Sequence, residues 1–316
     1  MKLVIVTINY NSSENTLKLL ESLKNQTSKD FDVIVVDNAS FKTDFNNLNT
    51  YYTTHFTTTM GTITNIIKIT FIKKDRNLGY SGGNNVGIKK ALEMWGADPD
   101  ASVGAGWVLL LNNDTMPESH LIEQLRVNLE GKEGVFGLAL DEGDGTAFAG
   151  KISWLKPTLI HITTRRVVHE KSVDKLYAIG GAILIHKDVF DKIGFLDENY
   201  FLYFEDADFC QRAKRAGIPV SFLPEIKISH SVSASTKKLG SPMLLRYHYR
   251  NALYFNFKNG PWYIKLLVWP WSWIIVFKQI VKIVIKTNVE QSQSILVGVI
   301  DFYNTKFGKI NHEKSV

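Results

Sequence analysis

The chain has 316 residues, enough for one large α/β domain with an appendage or for two modest domains, so a buried core is expected rather than disorder. Hydrophobic residues at 45% and charged residues at 22% exclude collagenous and low-hydrophobicity chains, and the lone Cys210 excludes an internal disulfide framework. The formal charge of +6 suits an anionic partner, a nucleotide, a membrane surface or nucleic acid, without choosing among them.

The opening MKLVIVTINYN carries an apolar stretch too short for a signal-peptide core, which predicts a cytoplasmic protein. Leu3–Ile8 is a continuous apolar, β-branched run and predicts a buried central strand. After a turn at Asn9–Ser13, Leu17, Leu20 and Leu23 mark the buried stripe of a helix, and Phe31–Val36 predicts a second strand ending at Asp37. Residues 41–70 are rich in Thr and Asn and show no clear period, which reads as a long excursion. Ile69–Lys73 predicts the third strand, and Ile88, Leu92 and Trp95 line one face of a helix that Gly96 terminates. Trp107–Leu111 predicts the fourth strand, with Pro117 opening the next helix. Ala178–Ile185 reads as a further buried strand and Asp208–Ala216 as a helix closed by Gly217, on which Cys210 packs as a small hydrophobe. Strands alternating with helices predict an α/β fold with a mainly parallel sheet flanked by helices. Beyond Pro242 the composition turns aromatic and basic, dividing the chain into 1–241 and a helical region, 242–316.

In an open α/β sheet a ligand sits beyond the carboxyl ends of the strands. Each early strand delivers polar residues there: Thr7, Asn9 and Tyr10, then Asp37, Asn38 and Ser40, then Asn112, Asn113 and Asp114. Turns and helix caps account for any single one of these through local hydrogen bonding. The glycine-rich stretch Gly79–Gly87 follows the third strand and does not fit G-x-G-x-x-G, which counts against a nicotinamide enzyme.

The ordered set VIVTINYNSS, VIVVDNAS, RNLGYSGGNNVGI, LLLNNDTMPE, YFLYFEDADFCQRAKRAG, EIKISHSVSAS and YHYRNAL resembles the GT-A inverting glycosyltransferases of family 2, in particular their rhamnosyltransferase-like and galactofuranosyltransferase-like branches. The resemblance covers roughly Lys2 to Pro261. It implies a GT-A fold, with 1–241 as catalytic domain, and transfer of a sugar from a nucleotide diphosphate to a hydroxyl of a lipid-linked or polysaccharide acceptor in cell-wall or polysaccharide assembly. Deoxythymidine-diphospho-rhamnose is the first donor it suggests, ahead of UDP-galactofuranose and UDP-hexoses; no nucleic acid is implied. Thr7, Asn9, Tyr10 and Asp37 then hold base and ribose, and Asn38, Asn77, Gly79, Gly83, Asn84, Asn112 and Asn113 complete the nucleotide site, the glycines letting backbone approach the donor. LLLNNDT takes the place of the D-x-D motif: Asp114 matches the aspartate that binds Mg²⁺ or Mn²⁺, while Asn112 stands where the first acid is expected. His230 matches a second metal ligand.

Glu205, Asp206 and Asp208 precede a predicted helix, whose dipole alone would favour them. The resemblance makes Asp206 the base that takes the acceptor's proton and Glu205 a residue positioning sugar hydroxyls, with Asp208 capping the helix or pairing with Arg212. Arg250 and Asn251 match an Arg-Asn pair near the diphosphate, with a solvated helix face as the other reading, above all for His248. Gly180 and Gly181 match a strand on the acceptor side. Two other readings stand beside this one: a sugar-nucleotide nucleotidyltransferase, and a non-catalytic member that binds nucleotide sugar or glycan. The uncharged run Leu266–Phe277 falls short of the ~20 residues of a spanning helix. Its tryptophans and Lys278, Lys282 and Lys286 predict instead an interfacial surface over 261–286, peripheral to the inner face of the plasma membrane, or packing against the catalytic domain or a twin subunit in a homodimer.

Overall fold

The computed structural model describes residues 1–55, 67–96, 106–143, 145–165, 173–231 and 240–310. The chain starts β1 (Lys2–Asn9), α1 (Ser13–Lys24), β2 (Asp32–Asp37), α2 (Lys42–His55), β3 (Lys68–Lys73), α3 (Gly79–Gly96) and β4 (Gly106–Leu111). It continues through β5 (Thr115–Pro117), α4 (Leu121–Leu129), β6 (Val135–Asp141), β7 (Thr146–Ala147), β8 (Ala149–Lys151), β9 (Ile160–Ile162), β10 (Leu176–Tyr177), β11 (Ala182–His186) and α5 (Lys187–Ile193). Then come α6 (Glu205–Arg215), β12 (Val220–His230), α7 (Pro242–Asn259), α8 (Trp262–Val284) and α9 (Val289–Tyr303).

The main sheet has the order β3-β2-β1-β4-β11-β6-β12-β5, with β7 added to β6 and β8 to β10 forming a small separate sheet. The predicted parallel sheet is therefore mixed: β3, β2, β1 and β4 run parallel, β11 is antiparallel to both its neighbours, and β5 is antiparallel to β12. Two-residue periodicity divides the core. Leu3 and Ile5 pack with Leu19 and Leu23 of α1 on one face, while Val4 and Val6 pack with Ile88 of α3 and Phe209 of α6 on the other. Strands buried on both faces read as continuous apolar runs, which is what β1 and β2 are.

Three local expectations change. The stretch from Phe41 is partly helical: α2 forms over Lys42–His55 because Leu48 is buried and Phe45 and Tyr52 pack their rings on Phe71 of β3. The rest of that excursion, 56–66, lies outside the described residues. Pro117 ends the short strand β5 instead of opening a helix, and α4 begins at Leu121. The glycine-rich stretch lies inside α3, two of whose glycines turn towards β1: a Cβ on Gly83 would stand 2.9 Å from the Ile8 side chain, and one on Gly87 would collide with Val6. Glycine there lets helix and strand axes approach closely, at the expense of helix propensity.

The C-terminal helices form their own core, in which Leu253, Val268, Ile275, Ile295, Val299 and Phe302 interlock. Gly298 of α9 sits against the carbonyl of Arg246 on α7, and the Arg246 guanidinium pairs with the buried Asp301 at 2.6 Å. The helices thus dock on the α/β layer through α7.

Gly87→Ala should lower stability by about 1–3 kcal/mol, because overpacking against Val6 forces strand and helix apart. An equilibrium urea titration checks this, and the expected result is a lower midpoint at unchanged slope.

Candidate active site

The carboxyl ends of β1, β2 and β4 open onto a cleft of about 560 Å³, lined by Tyr10, Asn38, Asn77, Gly79, Asn84, Asn112, Asn113 and Asp114 from the α/β layer. Phe201 and Leu202, Met243, Leu244 and Tyr247 of α7, and Lys309 and Ile310 form the facing wall. The site therefore lies outside the carboxyl ends at the point where strand order reverses, between β1 and β4. Asn38 fixes the floor: it donates to Asn77 and to the Gly79 carbonyl and accepts from the Leu78 amide, holding the start of α3 against β2.

Register places the acidic end of β4 beside a histidine. β12 pairs antiparallel with β5, setting His230 opposite Thr115, and the Ser231 amide donates to the Asp114 carbonyl at 2.9 Å. His230 Nε2 consequently lies 3.2 Å from Asp114 Oδ1, while its Nδ1 faces Glu142 at 3.6 Å. Burial disfavours the imidazolium, but the carboxylates of Asp114 and Glu142 outweigh it and raise the His230 pKa above the ordinary value. The contact lacks hydrogen-bond alignment, and Asp114 Oδ1 and His230 Nδ1 are buried atoms without a hydrogen-bond partner. A carboxylate oxygen and an imidazole side by side, neither committed to a hydrogen bond with the other, suit a divalent cation of the Mn²⁺ or Mg²⁺ type. Among the described residues no cluster of three or more His, Cys, Asp or Glu that could hold a metal ion forms.

The second carboxylate group sits across a glycine pair from the first. Asp206 Oδ2 accepts the Gly180 amide at 2.9 Å and Oδ1 accepts the Ala207 amide at 2.7 Å, while the Asn112 amide donates to the Gly181 carbonyl at 3.0 Å. Gly180 and Gly181 thus separate Asp206 from Asn112, and a side chain at Gly180 would press on both Asp206 and the Tyr80 hydroxyl. Glu205 and Asp206 stand at the margin of the cleft behind Tyr80 and Gly180 rather than in its lining. Burial raises the pKa of both acids. Glu205 is driven well above the carboxylate range, because the neighbouring Asp206 charge adds to burial and its Oε2 has no hydrogen-bond partner. Asp206 rises too, but the Gly180 and Ala207 amides oppose the shift. The two amides on Asp206 thus favour its charged form, while burial beside Asp206 disfavours that of Glu205.

The turn that aims these acids is unusual. Phe201, Tyr203 and Phe204 have φ of 63°, 69° and 75°, a left-handed conformation that bulky side chains resist. α7 holds them in it. Asn251 Nδ2 donates to the carbonyls of Tyr200, Leu202 and Tyr203 at 2.9, 2.7 and 3.2 Å, and Tyr247 and His248 stack on Phe201 and Tyr203. Asp208 sits one turn on, paired with Arg212 at 2.8 Å as one of the two expectations had it, and also bonded to Asn259.

Several residues expected in the nucleotide site are placed elsewhere. Arg250 is 1% exposed and donates to Asn251 Oδ1 and to the carbonyls of Asn199, Tyr200, Lys306 and Gly308. With its donors engaged behind the cleft wall, it ties the acidic turn to the end of the chain instead of facing a diphosphate. Asp37 is buried, accepting from Asn9 Nδ2 at 3.0 Å and from the Ser40 amide. Asn9 also donates to Ser40 and Asp44 and accepts from Thr16, so it is a hub joining β1, α1 and the start of α2. Thr7 and Gly83 are buried against the sheet. These residues shape the cleft from behind, whereas Tyr10, Asn38, Asn77, Gly79, Asn84, Asn112 and Asn113 do line it. His248 is buried instead of solvated.

Sequence reasoning missed Tyr80 and Glu142. Tyr80 lines the cleft and donates its hydroxyl to the Gly180 carbonyl; burial and the charges of Glu205 and Asp206 raise its pKa well above 10.0, keeping the phenol neutral. Its only sequence signal is its place in the RNLGYSGGNN stretch. Glu142 carries none, since it reaches His230 through the pairing of β6 with β12.

Residues 4–194 match the profile of Glycosyl transferase family 2. The chain belongs to this family. It is 26% identical to the dTDP-rhamnosyl transferase RfbF of Shigella flexneri over 80% of this chain and 79% of that protein. It is 23% identical to the N-acetylglucosaminyl-diphospho-decaprenol L-rhamnosyltransferase of Mycobacterium tuberculosis, over 84% and 88%. Among solved structures, a mannosyltransferase from Pyrobaculum calidifontis in complex with GDP-Man and Mn²⁺ superposes with TM-score 0.56 at 11% identity, covering 96% of this chain and 87% of that one. S. aureus TarS in complex with UDP-GlcNAc gives 0.54 at 16% identity, over 96% and 80%. The protein is thus a family 2 glycosyltransferase of GT-A-like fold, and the nucleotidyltransferase reading falls away.

His248 offers a pH test of the aromatic turn. Burial pushes its imidazole down to about 4 from 6.5. A lowered folded pKa gives stability that is complete above 6.5 and lost as pH falls through 6.5 towards 4, by up to about 3 kcal/mol. His248→Phe, which keeps a ring on Tyr203, should flatten that decline in urea midpoints measured from pH 7 to pH 4. A decline as steep in the variant as in the native protein would remove His248 as its source.

Proposed function

We propose that this glycosyltransferase moves a sugar, with inversion at the anomeric carbon, from a nucleotide diphosphate to a hydroxyl of a lipid-linked or polysaccharide acceptor. The observation that carries the reading is the placement of Asp114 with His230 on one side of the Gly180–Gly181 edge and Asp206 on the other. A donor in the cleft would have its diphosphate near Asp114 and its anomeric carbon towards Gly180. Two rhamnosyltransferases among the relatives favour deoxythymidine-diphospho-rhamnose as the sugar donor, with UDP-galactofuranose and UDP-hexoses next.

The nucleotide is held by the residues that line the cleft. Tyr10 offers a half-exposed ring for the base, and Asn38, Asn77 and Asn84 offer amides for ribose and phosphate. Asp114 and His230 would hold Mg²⁺ or Mn²⁺ with the donor's own phosphates, and Asn112, in place of a second acid, contributes an amide instead of a charge. Such a cation would neutralise charge on the departing diphosphate. Asp206 takes the proton of the acceptor hydroxyl as its oxygen bonds to the anomeric carbon and the diphosphate departs on the opposite face. Glu205, whose burial favours its neutral form, donates a hydrogen bond to a sugar hydroxyl. Tyr80, on the Gly180 carbonyl, screens the acids from water until acceptor enters.

Incubation with Mn²⁺ and a panel of nucleotide sugars, with and without acceptor lipid, should release nucleoside diphosphate in an acceptor-dependent way. Binding of a nucleotide sugar with no turnover on any acceptor would return the non-catalytic reading. Asp206→Asn should retain donor affinity and lose about 10²–10⁴-fold in transfer rate; near-native turnover would disqualify Asp206 as base. Asp114→Ala should weaken metal-dependent donor binding by about a hundredfold, measured by titration calorimetry with and without Mn²⁺. Unchanged affinity and unchanged metal response would put the cation elsewhere.

A further inference from the structure

The helix α8 has two faces of different character. Ile264, Val268, Ser272, Ile275 and Gln279 recur at helical spacing and are buried on α7 and α9, where the Ser272 hydroxyl bonds the Tyr303 hydroxyl at 2.5 Å. The opposite face is apolar from end to end: Trp262, Leu266, Trp273, Phe277, Ile280 and Val284 are exposed, Trp262, Trp273 and Phe277 by 73%, 68% and 69%. A surface helix in water carries polar residues on that face. Here polarity is confined to the flanks, where Lys265 and Lys278 are exposed, with Lys286 just past the end. No Asp or Glu occurs anywhere between Glu225 and Glu290.

The geometry points to a docking face for an anionic phospholipid surface, on which α8 lies in the plane of the bilayer with its outer stripe among the acyl chains and its lysines at the headgroups. Exposed tryptophan rings and flanking lysine stems suit that interface. The charge pattern selects lipid over a second copy. In a symmetric dimer this face would meet itself, bringing lysines together with no acidic residue in the stretch to pair with them, whereas anionic headgroups complement them. By length and composition the 23-residue helix, about 34 Å long, could cross a membrane. Crossing would strip its inner face from Leu253, Ile295 and Val299, and α7 cannot follow it, because Arg246 and Arg250 are fixed in the protein. α8 follows α7 through Gly260 and Pro261, so the helix that lines the cleft with Met243, Leu244 and Tyr247 is joined directly to the one that rests on the lipid. This inference rests on the lipid-linked acceptor reading only for its purpose, and its test needs neither donor nor acceptor.

The full chain is sedimented with vesicles of phosphatidylcholine alone and of phosphatidylcholine with phosphatidylglycerol. It should bind the anionic vesicles, less so as salt rises, with a blue shift of tryptophan fluorescence. The exposed double variant Trp273→Glu/Phe277→Glu should lower vesicle affinity by at least about tenfold while nucleoside diphosphate release with a soluble acceptor stays within about twofold. Lys265→Glu/Lys278→Glu, which leaves the apolar stripe intact, should abolish the preference for anionic vesicles even if the first variant folds poorly. Absence of vesicle binding by the native chain, or native-like binding by both variants, overturns the proposal. So does a dimer in sedimentation equilibrium that Trp273→Glu/Phe277→Glu dissociates without lipid. Bound protein that alkaline carbonate cannot extract would mean that α8 crosses the bilayer, and would also overturn it.

Discussion

The catalytic end of this protein depends on α7 holding a stretch of backbone in a conformation its side chains resist. Three aromatic residues in the left-handed region turn the chain sharply into α6, and that turn presents Glu205 and Asp206 together at the edge of the cleft. The cost is met by one helix face: Asn251 on three carbonyls, Arg250 on one of these and on that of Asn199, and rings of Tyr247, His248 and Phe255 against those of Phe201, Tyr203 and Phe204. Strain of this kind persists only where the surroundings over-determine it. The C-terminal helices are therefore a part of the site as much as an attachment to it.

Burial then does selective work on charge. Both acids lose water, which by itself would protonate both. Two backbone amides point at Asp206 and none at the orphaned Glu205 oxygen, so a local difference in hydrogen bonding separates their roles. The same economy holds at Asp114 and His230, where a register between β5 and β12 brings a carboxylate and an imidazole together.

What was legible in the sequence follows from how local its cause is. β1 and β2 are readable because apolar, β-branched runs have few other fates. α2 was not, since Thr and Asn are poor helix formers and the reason for the helix, Leu48 with two rings on Phe71, lies partly across the sheet. The beginning of α3 was hidden by glycines that serve the spacing to Val6 and Ile8, a tertiary demand that overrides propensity. Pro117 resembles a helix start until β12 arrives to pair with it. Arg250 was legible as important and misread as to why: its partners at Lys306 and Gly308 are distant in sequence, so nothing near it announced that its donors were engaged.

That last link sets an order of events in the life of the chain. The donor half of the cleft, from β1 to β4, is made early during synthesis, and the acids follow in α6. The clamp that aims them belongs to α7, and the carbonyls that steady Arg250 come from residues 306–308. A nascent or partly folded chain can thus own the strand-end side of the cleft while the acidic turn is still slack. That turn is set only once α7 and residues 306–308 have packed around it.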